Sequence, residues 1–180
     1  MVLTRDRSCL LIVDVQERLT SVMSDPRRVL QNCGLLMRAA TRLAIPLTVT
    51  EQHPREMGPT MVDLRPYIPA EGALAKQPFS AAADPEILSR LQGLGRPQVV
   101  IAGIETHIAV LQTALDLQEK GFKPMVVADA CGSRRIESEQ MAWSRMRQCG
   151  VELLSFEMAL FEWLGQSGTP EFKELAPLAP

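Results

Sequence analysis

The chain has 180 residues, of which 46% are hydrophobic and 22% charged, and its formal net charge at pH 7 is −2. This size and composition indicate one globular domain with its own core and exclude a disordered or fibrous protein. The charges form no basic stripe, so neither nucleic acid nor a membrane surface is expected as a partner, and a small-molecule substrate is favoured.

Two further features of the sequence bear on location and cofactors. Charged residues near the N-terminus interrupt any signal peptide, and no apolar run is long enough to span a membrane, so we expect a cytoplasmic protein. The four cysteines form no Cys-x-x-Cys pair. The pattern therefore predicts reduced thiols, with no disulfide framework, metal site or other cofactor.

The first third of the chain predicts a strand, a helix and a second strand. Residues 9–13 are a continuous apolar run that ends at Asp14, as in a strand buried on both faces of a parallel sheet. Asp25 followed by Pro26 is typical of a helix start, and the helical spacing continues to about Leu43. Residues 46–50 are rich in β-branched side chains and predict the second strand.

The middle of the chain begins with a long connection. Residues 51–71 contain many prolines and glycines and predict a loop without elements, of the kind that often has a function. A short strand is predicted around residues 73–76. Asp84 and Pro85 start a second helix, and residues 98–103 form another buried strand.

The remaining elements continue the alternation of helix and strand. A helix closes at Lys120-Gly121, strands are expected at residues 124–129 and 151–154, and the helix between them ends near Cys149. The alternation predicts a three-layer, Rossmann-like α/β fold with a six-stranded, mainly parallel sheet and helices on both faces. Residues 1–180 are expected to form a single domain, with a loosely attached C-terminal tail from about residue 168.

Polar residues at the ends of the predicted strands are the candidate site. Asp14, Lys76 and the turn at 103–105 each follow an apolar strand, where ligands bind in such sheets. Each one alone is as easily a turn residue or a solvated charge. Together they predict a ligand between the carboxyl ends of the first and fourth strands, in contact with Asp14, Lys76 and Phe79.

Three ordered motifs carry a family resemblance. Residues 14–16 (Asp-Val-Gln), 76–80 (Lys-Gln-Pro-Phe-Ser) and 103–108 (Gly-Ile-Glu-Thr-His-Ile) resemble the motifs of isochorismatase-like hydrolases. Further matches are similar to the isochorismatase domain-containing proteins of that family: Thr50-Glu51-Gln52, Gly58-Pro59-Thr60, Asp129-Ala130-Cys131 and Arg145-Met146-Arg147-Gln148.

The resemblance implies a pocket in which an aspartate and a lysine assist a nucleophilic cysteine. Asp14 and Lys76 match the first two residues, but Ala109 occupies the position of the cysteine. The backbone amides of Glu105 and Ala109 would be the oxyanion donors, and the Ile104–Glu105 peptide would be cis. Substrate-binding positions are also implied, at Gln16, His53, Phe79, Ile104 and Glu105.

Alanine at position 109 excludes a covalent mechanism there, since a methyl group cannot attack carbon. True isochorismatases resemble this chain in having a small residue at that position, and they use the aspartate as a general acid on a vinyl ether while the lysine orients the substrate carboxylate. Hydrolysis by Asp14 and Lys76 is therefore one hypothesis. The alternatives are a catalytically silent binding or scaffolding protein, an engineered Cys-to-Ala variant, or Cys131 as a substitute nucleophile.

Metal binding and assembly complete the expectations. Residues 51–54 (Glu-Gln-His-Pro) resemble the start of the zinc site of nicotinamidases, but with only two histidines in the chain no metal is predicted. His53 is expected in a loop that covers the pocket. Apolar side chains at Met141, Trp143, Met146 and in the segment 158–164 exceed the needs of one sheet, and they favour a homo-oligomer, either a dimer or a tetramer.

Overall fold

A six-stranded sheet forms the centre of the protein, as seen in a computed structural model that describes residues 1–179. All neighbouring strands pair in parallel, in the order β3-β2-β1-β4-β5-β6. The strands are β1 (Ser8–Val13), β2 (Leu47–Gln52), β3 (Leu74–Lys76), β4 (Gln98–Ile104), β5 (Lys123–Gly132) and β6 (Glu152–Leu154). The predicted α/β class and six-stranded sheet are confirmed.

Helices cover both faces of the sheet, so the fold has the three layers that the sequence predicts. The α-helices are α1 (Glu17–Thr20), α2 (Pro26–Arg42), α3 (Pro54–Met57), α4 (Pro85–Gly93), α5 (Leu111–Glu119), α6 (Ile136–Gln148), α7 (Phe156–Leu164) and α8 (Pro170–Leu175). One π-helical turn (Thr106–Val110) precedes α5, and three short 3-10 turns lie at Arg65–Tyr67, Ala81–Ala83 and Ala176–Leu178.

The apolar run of β1 explains its central place. Leu10 and Ile12 lie in a core cluster with α2 and α7, whereas Leu11 and Val13 lie in a second cluster with α4 and α5. Alternate side chains of a strand point to opposite faces, so a strand with helices on both sides must be apolar at every position. The same strand has β2 on one side and β4 on the other. Successive strands are therefore added on one side of β1 as far as β3 and on its other side from β4 onward, and this switch point opens a crevice at the carboxyl ends of β1 and β4.

The connection at 51–71 was predicted as a loop without elements, and this was wrong. β2 continues to Gln52, α3 follows directly, and a 3-10 turn forms at Arg65–Tyr67. Gln16 also pairs with Thr60 in an isolated antiparallel bridge. Prolines at the first turns of these short helices explain the difference, because proline is disfavoured inside a helix but suits its start.

Two other boundaries differ from expectation. β5 was predicted to end at Asp129 but continues to Gly132, because a shift of register after Ile101 lets Gly103 pair with Cys131. The segment from residue 168, expected to attach loosely, contains α8, whose Leu175 is fully buried in the core. Within residues 1–179, no helix is both long enough and apolar enough to cross a membrane.

Candidate active site

Asp14 lies directly after β1, at the crevice between β1 and β4. Its φ of 53° places it in the left-handed region, which few non-glycine residues adopt. The side chain is almost completely buried. Its Oδ1 accepts a hydrogen bond of 2.7 Å from the Thr50 hydroxyl, and its Oδ2 lies 2.6 Å from Nζ of Lys76. Each carboxylate oxygen of Asp14 therefore has a fixed donor.

Lys76 is the last residue of β3, and its side chain is fully buried. Besides Asp14, its ammonium donates to Oε1 of Gln52 at 2.6 Å and to the carbonyl oxygens of Phe79 at 2.9 Å and Pro78 at 3.1 Å. An ammonium has three hydrogens, and here four acceptors surround it. Lys76 therefore fixes Asp14 but has no donor left for a substrate carboxylate, which differs from the role that the isochorismatase scheme implied.

Burial and charge act on Asp14 in opposite directions. Loss of solvation raises the pKa of Asp14 above its usual value, while the charge and hydrogen bond of Lys76 and the hydrogen bond of Thr50 oppose that rise. The net direction is upward because a carboxylate that is nearly withdrawn from water loses more solvation than these partners return. A carboxyl group whose pKa is raised by burial is a candidate for general acid–base catalysis.

A cavity of about 110 Å³ lies against Asp14. Its wall is mostly apolar and consists of Asp14, Leu19, Gln52, Met57, Phe79, Ile104, Glu105, Ile108 and Ala109. Phe79 is 56% exposed where it borders this cavity, so it is not a core aromatic. Asp14 and Ala109, separated by most of the chain, thus face the same space.

The segment between β4 and α5 forms the far wall of the cavity. The Ile104–Glu105 peptide is cis, as the resemblance implied. The carbonyl oxygen of Glu105 accepts hydrogen bonds from the amides of Ile108 and Val110, whereas its own amide donates to no other group in residues 1–179. The Glu105 carboxylate is nearly buried and pairs with Nε of Arg134 at 3.1 Å.

The two other predicted binding residues do not border this cavity. The Gln16 side chain forms hydrogen bonds with the backbone of Gln52 and Gly58, so it connects the end of β2 to the residue after α3. His53 lines a separate open cleft of about 410 Å³, together with Arg55 and Gln77. His53 has a left-handed φ of 38° and directly precedes α3, whose last residue, Met57, does border the cavity.

Apart from Met57, which lies in the segment expected to cover the pocket, the other residues of the site were given no individual role from the sequence. Thr50 donates a hydrogen bond to Asp14, and Gln52 accepts one from Lys76. The sequence showed Thr50 and Gln52 only as part of a family motif. Leu19 and Met57 border the cavity from α1 and α3. Ordinary apolar residues in short helices give no signal of such a role.

Cys131 does not replace the missing cysteine. It is fully buried in β5 and does not border the cavity. Burial raises its pKa well above the usual thiol value, which disfavours the nucleophilic thiolate. His107 bonds the Ser133 hydroxyl at 2.9 Å. No group of three or more His, Cys, Asp or Glu side chains in residues 1–179 is placed to hold a metal ion.

Known proteins match this fold and sequence over nearly the whole chain. Residues 8–158 match the isochorismatase domain. Isochorismatase domain-containing protein 2 of Xenopus laevis is 36% identical over 174 residues, which cover 93% of this chain and 81% of that protein. The structure of MAR1 ribonuclease from Caenorhabditis elegans has a TM-score of 0.92 and 32% identity, covering 99% of this chain and 92% of that one. The YcaC gene product of Escherichia coli, described as an octameric hydrolase of unknown specificity, has a TM-score of 0.93 and 25% identity, covering 99% and 90%.

Proposed function

Because this chain belongs to the isochorismatase family of hydrolases, we propose that it hydrolyses a small carboxylated or carbonyl-bearing metabolite without a covalent enzyme intermediate. The observation that carries the proposal is the buried contact of 2.6 Å between Asp14 and Lys76. The cavity beside this pair is also bordered by the methyl group of Ala109. A methyl group cannot be a nucleophile, so the reaction has to use water activated by Asp14.

The proposed reaction is a proton transfer through Asp14. The carboxylate takes a proton from water as the water oxygen bonds to the carbonyl carbon, and then returns the proton to the leaving atom as its bond to that carbon breaks. The amides of Glu105 and Ala109 would stabilise the negative charge on the substrate oxygen. With an enol ether, Asp14 would instead give its proton to carbon, and water would then add to the resulting cation and return a proton to Asp14. Asp14 would pass that proton to the ether oxygen as its bond to carbon breaks, which releases an alcohol and a carbonyl compound. Since a methyl group is smaller than a cysteine side chain, the cavity has room for a water beside Asp14.

The charges around the cavity support a carbonyl compound more than a carboxylate. Two acidic side chains, Asp14 and Glu105, border it, and the one nearby ammonium already has four acceptors. A substrate carboxylate would meet like charges there without a free cation. The small volume of the cavity and the net charge of −2 likewise support a small molecule here, although the Caenorhabditis elegans relative is named a ribonuclease.

Turnover should depend on the Asp14 carboxylate. In a screen of vinyl ethers, imides and amides, we expect Asp14→Asn to reduce kcat by about 10²–10⁴-fold, because the amide keeps the shape but cannot accept the proton. Asp6→Asn is the matched control, since Asp6 is exposed, and it should leave kcat unchanged. Turnover by Asp14→Asn at the parent rate would remove Asp14 from the mechanism. A parent protein inactive on the whole screen would favour the silent binding or scaffolding alternative.

Alanine at position 109 is the reason for considering a catalytically silent protein. Introducing a cysteine there tests whether the pocket is intact. In Ala109→Cys we expect rapid alkylation by iodoacetamide at position 109, because the new thiol would lie on the cavity of Asp14. Cys149 is the exposed native thiol and is replaced by serine in all samples. Cys9 and Cys33 should stay unmodified, since burial raises the pKa of each to about 12. Mass spectrometry that finds position 109 unmodified would show that no reactive pocket remains.

We also propose a cytoplasmic homo-oligomer. The location is supported by cysteines that are all free in the structure. Assembly is supported by Met141 and Phe161, which are 74% and 40% exposed, and by the octamer reported for YcaC. Met146 is fully buried and so belongs to the core. A single-chain mass in light scattering at micromolar concentration would contradict the assembly.

A further inference from the structure

The two carboxylate oxygens of Glu105 have different surroundings. Oε2 accepts hydrogen bonds from the backbone amide and from Nε of Arg134, each at 3.1 Å. Oε1 accepts none from any group in residues 1–179. Glu105 is nevertheless only 8% exposed, and it borders the same cavity as Asp14. A nearly buried carboxylate with one unpaired oxygen is costly unless a ligand or solvent supplies a donor.

The polar side chains beside the cavity already donate to groups other than this oxygen. The ammonium of Lys76 is taken up by its four acceptors, and the Nε2 of Gln52 donates to the carbonyl oxygen of Gln77. The Thr50 hydroxyl donates to Asp14. The remaining wall is mainly apolar. The donor to Oε1 is therefore water or a bound molecule, and a ligand that enters the cavity can replace the water.

From this arrangement we infer that Glu105 is a specificity-determining residue whose Oε1 accepts a hydrogen bond from an N–H or O–H group of a neutral carbonyl substrate. This inference rests on the proposed hydrolysis and adds which substrates the site would select. Asp14 then acts at the carbonyl carbon while Glu105 selects molecules that carry a donor. A compound without a donor leaves Oε1 unpaired and places its own lone pairs against a carboxylate.

Arg134 is a positioning residue in this arrangement. Its side chain is 58% exposed, so it fixes the carboxylate from the solvent side without bordering the cavity. Two donors from one residue to Oε2 set the orientation of the carboxylate plane and leave Oε1 for the ligand. Removing the guanidinium leaves the charge of Glu105 and the hydrogen bond from the Arg134 backbone amide in place, but removes one of the two donors that orient the carboxylate.

Binding of two matched probes tests the inference apart from turnover. Propanamide and methyl acetate have the same number of non-hydrogen atoms, and only the first has N–H donors. In the Asp14→Asn background, which prevents hydrolysis, we expect NMR titration to give propanamide about a tenfold or greater advantage in Kd. Glu105→Leu should reduce this ratio to about one. An unchanged ratio in a folded Glu105→Leu variant would overturn the inference.

A second pair of variants covers the case in which Glu105→Leu does not fold. Arg134→Met should lower the propanamide preference several-fold, whereas Arg135→Met, at an exposed neighbour without a side-chain hydrogen bond, should keep it. Equal ratios in both variants and the parent would contradict the role of Arg134 and, with it, the fixed carboxylate. Absence of turnover by the parent protein would instead contradict the proposed hydrolysis, while a donor preference in binding would still stand.

Discussion

Replacing Gly103 by alanine is expected to lower the melting temperature by about 8–16 °C or to prevent folding. A Cβ at this position would lie 2.1 Å from the carbonyl oxygen of Val13 and 2.8 Å from its carbon and nitrogen. These are backbone atoms of β1, which cannot rotate away. Gly103 also has a φ of 128°, which side chains rarely allow. Overpacking and backbone strain together should cost about 4 kcal/mol, a large part of the stability of a domain.

Gly93→Ala is the matched control. Gly93 is the last residue of α4, where an added Cβ meets no atom within 4 Å. Alanine there should leave the melting temperature unchanged or raise it slightly, because alanine favours helix and restricts the unfolded chain. Calorimetry of the two variants beside the parent is the measurement. Equal melting temperatures for Gly103→Ala and Gly93→Ala would show that β1 and β4 are not in the close contact described.

Lys76→Met is the second substitution with a large expected effect. It removes the ammonium from a fully buried ion pair and leaves the Asp14 carboxylate without its cation. Breaking one partner of such a pair costs about 3–5 kcal/mol, because the remaining charge is buried and uncompensated. Turnover should also be lost, since Asp14 then lacks the group that fixes it. Lys173→Met, at an exposed position of α8, should change neither the melting temperature nor activity.

The pH dependence of Lys76→Met follows from Asp14. Without the lysine, the two largest influences that lower the pKa of Asp14 are gone, so its pKa rises further than in the parent. A raised pKa in the folded state stabilises the fold at pH values below the unfolded pKa of about 3.9, and that contribution is lost as the pH rises through the folded pKa. The loss of stability relative to the parent should therefore be larger at pH 8 than at pH 5. A pH-independent difference between the two melting curves would contradict the buried charge.

The sequence predicted the sheet because its signals were local and repeated. Continuous apolar runs marked the buried strands, and the Asp-Pro pairs at residues 25 and 84 marked the starts of two helices, where each aspartate caps the helix. The meeting of Asp14 and Lys76 followed from one topological rule, since both end parallel strands. The strand order adds that β2 lies between the strands that carry Lys76 and Asp14. Gln52, at the end of β2, accepts a hydrogen bond from Lys76.

The details that sequence reasoning missed depend on contacts between distant residues. Nothing local in Lys76 shows that its ammonium is surrounded by acceptors, because two of these are backbone carbonyls that the following turn brings back. Gln16 matched a motif, yet its side chain connects the end of β2 to Gly58, a contact that only the folded structure reveals. Arg134 had no motif at all. Its importance appears only through the carboxylate of Glu105.

Because Lys76 lies on β3, the local stability of the site differs from the global stability of the fold. β3 has three residues and pairs with β2 alone, at the outer edge of the sheet, whereas Asp14 follows the central strand. Short edge segments open and reclose far more often than the centre of a sheet. Opening of β3 would withdraw the cation from Asp14 while the core remains assembled. Loss of the complete site would therefore require only local unfolding of this strand, at a lower free-energy cost than global unfolding.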